Sequence, residues 1–280
     1  MTPAVDGPVL DNLRADRVKA VRALSGRSAR ERAGRFLAEG PQAVREAVRF
    51  GAVRDLYLTG AAAERYDEIV DFARERSIHV QLASDDVLAA MSPDAQGILA
   101  VVEQETATLD DVLATRPTLV AVLSHVRDPG NAGTVIRAAD AAGADAVVLT
   151  AESVDVHNPK TVRATAGSLF HLPVVTGASL EAAVAALKAA GLAVLAADGA
   201  GEEDLDDLLD VAGQPGGTGK APDLAAPTAW VFGNEAWGLP LEDRALADAV
   251  VRVPIRGQAE SLNLATAATL CLYASARAQR

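Results

Sequence analysis

The chain has 280 residues, room for two domains of ordinary size, and its hydrophobic half is spread along the whole length. No stretch approaches the ~20 apolar residues that cross a bilayer. The first residues show no cationic leader ahead of an apolar run, and a single cysteine, Cys271, excludes an intramolecular disulfide framework, so the expected place is the cytoplasm.

The net charge of −12 argues against a nucleic-acid partner until its distribution is read. Between Asn12 and Arg54 stand eleven Lys or Arg against four Asp or Glu, a segment near +7 that leaves about −19 for the remainder. Such clustering is the electrostatic footprint of phosphate binding, although a solvated helix face has the same composition. Arg27, Arg30, Arg32 and Arg35 are the candidate contacts within it.

After this basic helix, Phe36-Leu37-Ala38 reads as a short strand and Pro41 to Phe50 as a helix opened by Gly40-Pro41. Val53 to Leu58 alternates with the period of a half-buried strand. A helix over 61–76, a strand over 78–82, a short helix over 84–91 and a strand over 98–102 complete a first α/β domain, residues 1–104. Residues 105–118 are polar, contain Asp110-Asp111, and read as a linker to a second domain, 119–280.

That domain opens with Leu119 to Leu123, a continuous apolar run suited to a strand covered on both faces. A helix from Gly133 to Ala142 and a strand from Ala146 to Leu149 follow. Further strands are expected at Leu192 to Ala196, Ala229 to Phe232 and Ala249 to Val253, and a last helix from about Ser261 to Ala278. Alternating helix and strand signals predict the α/β class with a parallel sheet flanked by helices. Residues 212–228, rich in Gly, Pro and Ala without periodicity, read as a flexible insertion.

In open α/β sheets ligands collect at the loops that follow strands, and three such loops carry polar signals. The first is Asp128-Pro129-Gly130-Asn131-Ala132-Gly133-Thr134-Val135-Ile136-Arg137, with Asn131 at a natural N-cap position and Arg137 one turn into the helix. The second, Phe232-Gly233-Asn234-Glu235-Ala236-Trp237-Gly238-Leu239, puts a glycine, an amide and a carboxylate at a strand end. The third runs from Pro254-Ile255 through Gly257 to Ser261-Leu262-Asn263, where Ser261 is suited to cap the last helix and Asn263 has no obvious capping duty. Taken singly, each is also what an ordinary capped helix or tight turn would show.

In this order the three loops resemble the motifs of the SpoU class of SPOUT methyltransferases. Asn-x-Gly-x-x-x-Arg corresponds to Asn131, Gly133 and Arg137, the second motif to Gly233, Asn234, Glu235, Gly238 and Leu239, and the third to Pro254, Ile255, Ser261, Leu262 and Asn263. The resemblance covers about Leu119 to Ala278, the stretch His157 to Ser168 included, and Phe36 to Val102 looks like the family's substrate-binding extension. It implies a catalytic domain with a deep trefoil knot, a feature that no composition or periodicity shows. It further implies transfer of a methyl group from S-adenosyl-L-methionine to a ribose 2′-OH of structured RNA; ribosomal and transfer RNA are both used in the family, and the extended N-terminal domain favours ribosomal RNA. A homodimer through the knot region and C-terminal helix is implied as well.

The resemblance assigns cofactor contacts to Gly233, Asn234, Ile255 and Leu262, with Ala197 as a further wall. Its catalytic candidates are Asn131, Arg137, Glu235, Ser261 and Asn263, and Lys160 and Arg163 are candidate RNA contacts near the site. The Gly-x-Gly-x-x-Gly fingerprint of dinucleotide folds is absent. His79, His125, His157 and His171 show no metal-ligand spacing with one another or with Cys271, so no metal is expected. Two other readings compete: a non-catalytic RNA-binding protein that keeps the fold, and a nucleotide-dependent small-molecule enzyme, which leaves the basic segment unexplained.

Overall fold

The computed structural model describes residues 8–214 and 221–280, so 215–220, the middle of the expected insertion, lie outside the described residues. The chain forms two compact units, one of residues up to Glu105 together with His157–His171, the other of Thr106–Val156 and Leu172–Arg280.

In the first unit the basic run forms two helices, α1 (Asp16–Ala23) and α2 (Arg27–Ala33), because the chain turns through Leu24 to Gly26. Gly34 closes α2 in the left-handed region at φ 62°, a conformation that glycine adopts without a Cβ clash. There follow β1 (Arg35–Glu39), α3 (Gly40–Phe50), β2 (Val53–Leu58), α4 (Gly60–Arg65), α5 (Asp67–Glu75), β3 (His79–Leu82), α6 (Asp85–Met91) and β4 (Ile98–Glu103). The single helix expected over 61–76 is broken at Tyr66, whose φ −121° and ψ 45° are not helical.

The sheet order is β1-β4-β2-β3, with β2 and β3 parallel and the other pairs antiparallel. Period-two alternation divides its side chains between two cores. Phe36, Ala38, Leu56, Leu58 and Ala100 pack with α3 and α5, whereas Leu37, Tyr57, Leu99 and Val101 pack with α1 and α6.

The second unit begins with α7 (Leu109–Ala114), where the sequence reads as a linker. A capping box between Thr108 and Asp111 starts the helix, and its Val112 joins the core, so polarity misleads here. Next come β5 (Leu119–Leu123), α8 (Pro129–Ala142) and β6 (Ala146–Thr150). Then α9 (Pro159–Ala164) is built into the first unit, and β7 (Val174–Ala178), α10 (Leu180–Ala189), β8 (Ala193–Ala197), β9 (Glu203–Asp204) and α11 (Leu205–Val211) return to the second. The chain ends with β10 (Thr228–Phe232), α12 (Leu241–Ala245), β11 (Ala249–Arg252) and α13 (Leu264–Ala278).

Its sheet is parallel throughout, in the order β7-β6-β5-β10-β8-β11-β9. The continuous apolar runs of β5, β6 and β10 are buried at every position, as expected for a sheet covered on both faces. Phe232 pairs with Leu123 on one side and Ala197 on the other, and Ala197 also pairs with Val251. The loops after β5, β8, β10 and β11 therefore leave one end of the sheet together.

The segment around α9 departs from the contiguous boundaries suggested by the sequence. Val162 enters the first unit's core beside Phe36, and the Phe36 ring lies tilted against His157 with centroids 4.6 Å apart. No helix among the described residues is long and apolar enough to cross a membrane.

Candidate active site

After β5 the chain turns through His125 in the left-handed region, φ 55°. Asp128 then caps α8: its Oδ1 accepts from the Asn131 backbone N–H at 2.8 Å, and Pro129 occupies a first-turn position where no N–H is needed. Asp128, not Asn131, is thus the cap, and α8 starts at Pro129 rather than Gly133. Asn131 sits in the first turn, so its side chain serves another purpose.

That purpose is a hydrogen-bond chain joining the three loops. Asn131 Nδ2 donates to Glu235 Oε1 at 3.2 Å, and Asn263 Nδ2 donates to Asn131 Oδ1 at 3.1 Å. Asn263 Oδ1 accepts from the backbone N–H groups of Ala265 (2.9 Å) and Thr266 (3.4 Å), so Asn263 is the N-cap of α13. The helix accordingly begins at Leu264, and Ser261 stands in the loop before it instead of capping it. Both ends fix the polarity of the chain: helix N–H groups only donate and a carboxylate only accepts, so each amide has one consistent orientation. Glu235 Oε1 also accepts from the Asp128 N–H at 3.3 Å.

The second loop is closed on itself. A Cβ on Gly233 would sit 2.4 Å from the Gly238 carbonyl oxygen and 2.7 Å from the Leu239 nitrogen, so no other residue fits. Asn234 and Gly238 exchange backbone hydrogen bonds at 3.0 and 2.9 Å. The Asn234 side chain donates to the His125 carbonyl at 2.7 Å and accepts from the Ala236 N–H at 2.8 Å, which ties this loop to the first. Asp198, just past β8, accepts from the Leu239 N–H at 3.3 Å and pairs with Arg244 at 3.4 Å. In the sequence Asp198 belongs to the strand end, Ala196 to Gly199, expected to supply a further cofactor wall, and His125 lies close to the first motif, but neither carries an assigned role there.

These loops enclose a cavity of about 310 Å³. Ala197, Gly233, Asn234, Ile255 and Leu262, the expected cofactor contacts, all line it, together with Glu235 and Ser261. Its lining includes Asp198, Glu235 and Glu260 but no Lys or Arg among the described residues, an arrangement suited to a ligand carrying positive charge. A larger recess of about 510 Å³ along α8, α11 and α13 contains none of the motif polar residues, so size alone would misdirect. Asn131 and Asn263 stand behind the cavity, linked to it through Glu235. Arg137 is exposed on α8, does not line the cavity, and pairs with no carboxylate among the described residues.

Behind the first loop, Ser124 Oγ lies 3.0 Å from His125 Nδ1 and 3.4 Å from Asp243 Oδ2. Burial pushes the Asp243 carboxyl above its ordinary range, against the pull of His125 and Ser124. Among the described residues no cluster of His, Cys, Asp and Glu could hold a metal ion. Cys271 is buried in α13, which pushes its thiol pKa up.

The expected RNA contacts divide. Arg32 and Lys160 are exposed, and Arg27 is exposed beside Glu31 at 2.8 Å. Arg35 pairs with Glu103 at 2.9 Å. Two others serve the fold instead. Arg30 is 2% exposed and donates to the carbonyls of Leu24 (2.9 Å) and Ser25 (2.8 Å), satisfying the C-terminal end of α1. Arg163 neutralises the buried Glu39 and pairs with Asp94 at 3.1 Å, while Ser92 Oγ donates to Glu39 at 2.6 Å.

Residues 118–273 match the SpoU rRNA Methylase family, and residues 15–100 match the MRM3-like substrate binding domain. The chain is 33% identical over 287 residues to the 23S rRNA (uridine(2479)-2′-O)-methyltransferase of Streptomyces viridochromogenes, covering 99% of this chain and 93% of that protein. It is also 33% identical over 270 residues to the 23S rRNA (guanosine(2553)-2′-O)-methyltransferase RlmP of Bacillus subtilis, covering 94% and 97%. Among solved structures, the AdoMet-bound rRNA methyltransferase from Sinorhizobium meliloti superposes with a TM-score of 0.80 at 31% identity, covering 97% of this chain and 98% of the other. The SpoU methyltransferase AviRb from Streptomyces viridochromogenes with AdoMet gives 0.78 at 32% identity, covering 94% and 98%.

Proposed function

The chain belongs to the SpoU rRNA methylase family, and from that membership we propose that it is an S-adenosylmethionine-dependent 2′-O-methyltransferase acting on 23S-type ribosomal RNA. The observation that carries the reading is the hydrogen-bond chain Glu235–Asn131–Asn263, which joins three loops distant in sequence beside a cavity with a glycine floor. An apolar wall, the close approach permitted by Gly233 and a lining rich in carboxylate fit a compact cationic cofactor. Gly233, Asn234, Ile255, Leu262 and Ala197 would hold it. When bound, S-adenosylmethionine supplies a methyl group made electrophilic by its sulfonium.

The chain's own residues have three tasks. The first is alignment of the ribose hydroxyl, which we assign to Asn131, Ser261 and Asn263, pre-set by the fixed polarity of their amides. The second is electrostatic. A guanidinium is a permanent cation in proteins, so Arg137 is a poor base but a strong stabiliser of a developing alkoxide and of the neighbouring phosphate. Its exposure outside the cavity supports a role toward the RNA rather than the cofactor. The third is acceptance of the hydroxyl proton. Glu235 Oε2 accepts no hydrogen bond from any described residue, and we assign that task to it.

The first unit recruits the RNA, in line with its basic run and its match to a substrate-binding domain. We further read the loops after β10 and β11 as part of a trefoil knot, and the molecule as a cytoplasmic homodimer. The apolar Leu270 and Tyr273, exposed on α13 along the larger recess, support a second copy covering that face. Light scattering of the purified protein would return twice the chain mass; a monomer at micromolar concentration ends that part of the reading.

The test of function uses 23S rRNA from a strain lacking the gene and isotopically labelled S-adenosylmethionine. Label should enter one ribose 2′-O position, and calorimetric titration should show cofactor binding without RNA. Binding without transfer to any rRNA would favour a non-catalytic RNA-binding protein, and no binding at all would end the assignment.

A further inference from the structure

A cleft in the first unit, between α1 and the sheet, has no part in the chemistry described above. It encloses about 240 Å³. Its walls are apolar, with Ala20 and Val21 from α1, Leu24 just past it and Val101 from β4, and it is flanked by Arg17, Arg35 and Arg54. Tyr57, on β2, also lines it, and that residue is the unusual one.

Tyr57 is 1% exposed and its phenol forms no hydrogen bond with any described residue, but it is not among the fully enclosed polar atoms that lack a partner, so the hydroxyl keeps a sliver of open surface in the cleft it lines. Burial first, then Asp55, pushes the phenol pKa up to about 12 against the opposing pull of Arg17 and Arg54, so at neutral pH the group is a protonated donor. For packing alone, phenylalanine would serve better. The hydroxyl is therefore open to an acceptor that enters the cleft.

We propose that this cleft binds one unpaired nucleotide of the RNA substrate, its base against the apolar wall with an acceptor facing the Tyr57 hydroxyl and its phosphate among the three guanidiniums. The proposal rests on reading the chain as an RNA-modifying enzyme. The local charge fits a single phosphodiester. Three guanidiniums face two carboxylates, since Asp55 lines the cleft and Glu103 pairs with Arg35 at 2.9 Å and lies 3.5 Å from Arg54, which leaves one positive charge in excess. Among the described residues Arg17 hydrogen-bonds only to the neutral amide of Gln81, at 3.4 Å, and Arg54 is half exposed with Glu103 at 3.5 Å and Asp55 at 3.7 Å, both long for ion pairs, so both guanidiniums can turn toward a phosphate. Bases splayed from single strands are the usual object of RNA recognition by protein surfaces.

The test compares the full-length protein with Tyr57→Phe and Arg54→Ala. The probes are a short fluorescent single-stranded RNA, the same RNA with abasic sites, and inorganic phosphate. Tyr57→Phe should weaken RNA binding ~5-fold, the scale of one neutral hydrogen bond, while its melting temperature stays level or rises because no internal bond is lost. Arg54→Ala should weaken binding and lower the salt dependence by about one counterion. The abasic RNA should bind wild type and Tyr57→Phe alike. In methyl transfer to rRNA, Tyr57→Phe should raise the KM for RNA and leave kcat and cofactor affinity alone.

Equal RNA affinity for wild type and Tyr57→Phe, or a clear drop in melting temperature, overturns the site, as does inorganic phosphate competing as well as RNA. Absence of methyl transfer by wild type, with the Tyr57 dependence of RNA binding intact, removes the enzymatic reading and leaves the site standing.

Discussion

In the second unit the polar residues that matter are bound to one another: Glu235, Asn131 and Asn263 form one chain across three loops, and Asn234 ties the second loop to the His125 carbonyl. In the first unit the conspicuous basic residues are mostly paired one to one with an acid, with Arg27 on Glu31, Arg35 on Glu103, Arg45 on Glu68 and Arg163 on Glu39. The one that is most deeply buried, Arg30, holds up a helix end. The contrast teaches that spacing and charge carry different information. A motif residue retains its meaning because its partner lies on another motif, whereas a basic residue counted in a sequence can have its charge matched by an acid that the count treats as an independent number.

The largest expected effect lies in the second unit. Arg137→Ala should lower kcat by ~10²–10³ with cofactor affinity unchanged, as for loss of one group that stabilises developing charge. Steady-state kinetics with calorimetric titration checks it, and wild-type turnover would break the contrast by making Arg137 one more surface charge. The next tests the first unit. Arg30→Met should cost ~1–3 kcal/mol in stability by orphaning the carbonyls of Leu24 and Ser25, yet leave the salt dependence of RNA binding unchanged. Arg32→Ala should do the reverse, keeping stability and losing about one counterion.

A finer test is Asn263→Asp. Aspartate caps a helix as well as asparagine, so the melting temperature should hold within the ~1 kcal/mol that a cap is worth. It cannot donate to Asn131, so kcat should fall, and Asn263→Ala should lose both stability and rate. If the aspartate variant turns over normally, the chain of amides is only a structural clasp.

The smallest effect concerns Asp243, whose raised pKa means that burying its charge opposes folding. Stability from that source is present when the carboxyl is protonated and is lost as pH rises through the raised value. Asp243→Asn should therefore melt slightly higher than wild type near neutral pH, with the gap closing toward about pH 4, the ordinary aspartate range. A gap that persists unchanged at acid pH points to packing instead.

Much of the second unit was legible because its buried strands are unbroken apolar runs and its site residues recur in a fixed order. What misled was local. The role of Asn263 as cap of α13 could not be separated from Ser261 by propensity, since both residue types accept from helix N–H groups equally well. Asp128-Pro129 is the stronger signal for the start of α8, a cap followed by proline where no N–H is required, and Asn131 three residues on competes with it as a cap. Strand β7 and helix α10 passed unread in an alanine-rich stretch with weak periodicity. Tyr57 could not have been found at all, because a hydroxyl opening on a cleft is a property of packing, not of a spacing.

The excursion of residues 157–171 has a bearing on heredity as well as on folding. A carboxylate at position 39 is neutralised by a cation encoded more than a hundred codons later, and Val162 fills a core whose other members precede Glu105. The two units are therefore not separable by any single cut in the gene. Removal of the first stretch would strand a helix evolved for another interior, and grafting that stretch alone onto a different catalytic partner would leave an acid buried without its counter-ion. Exchange of substrate modules among such enzymes has to carry both pieces of coding sequence together, which favours descent of the whole over shuffling of the parts.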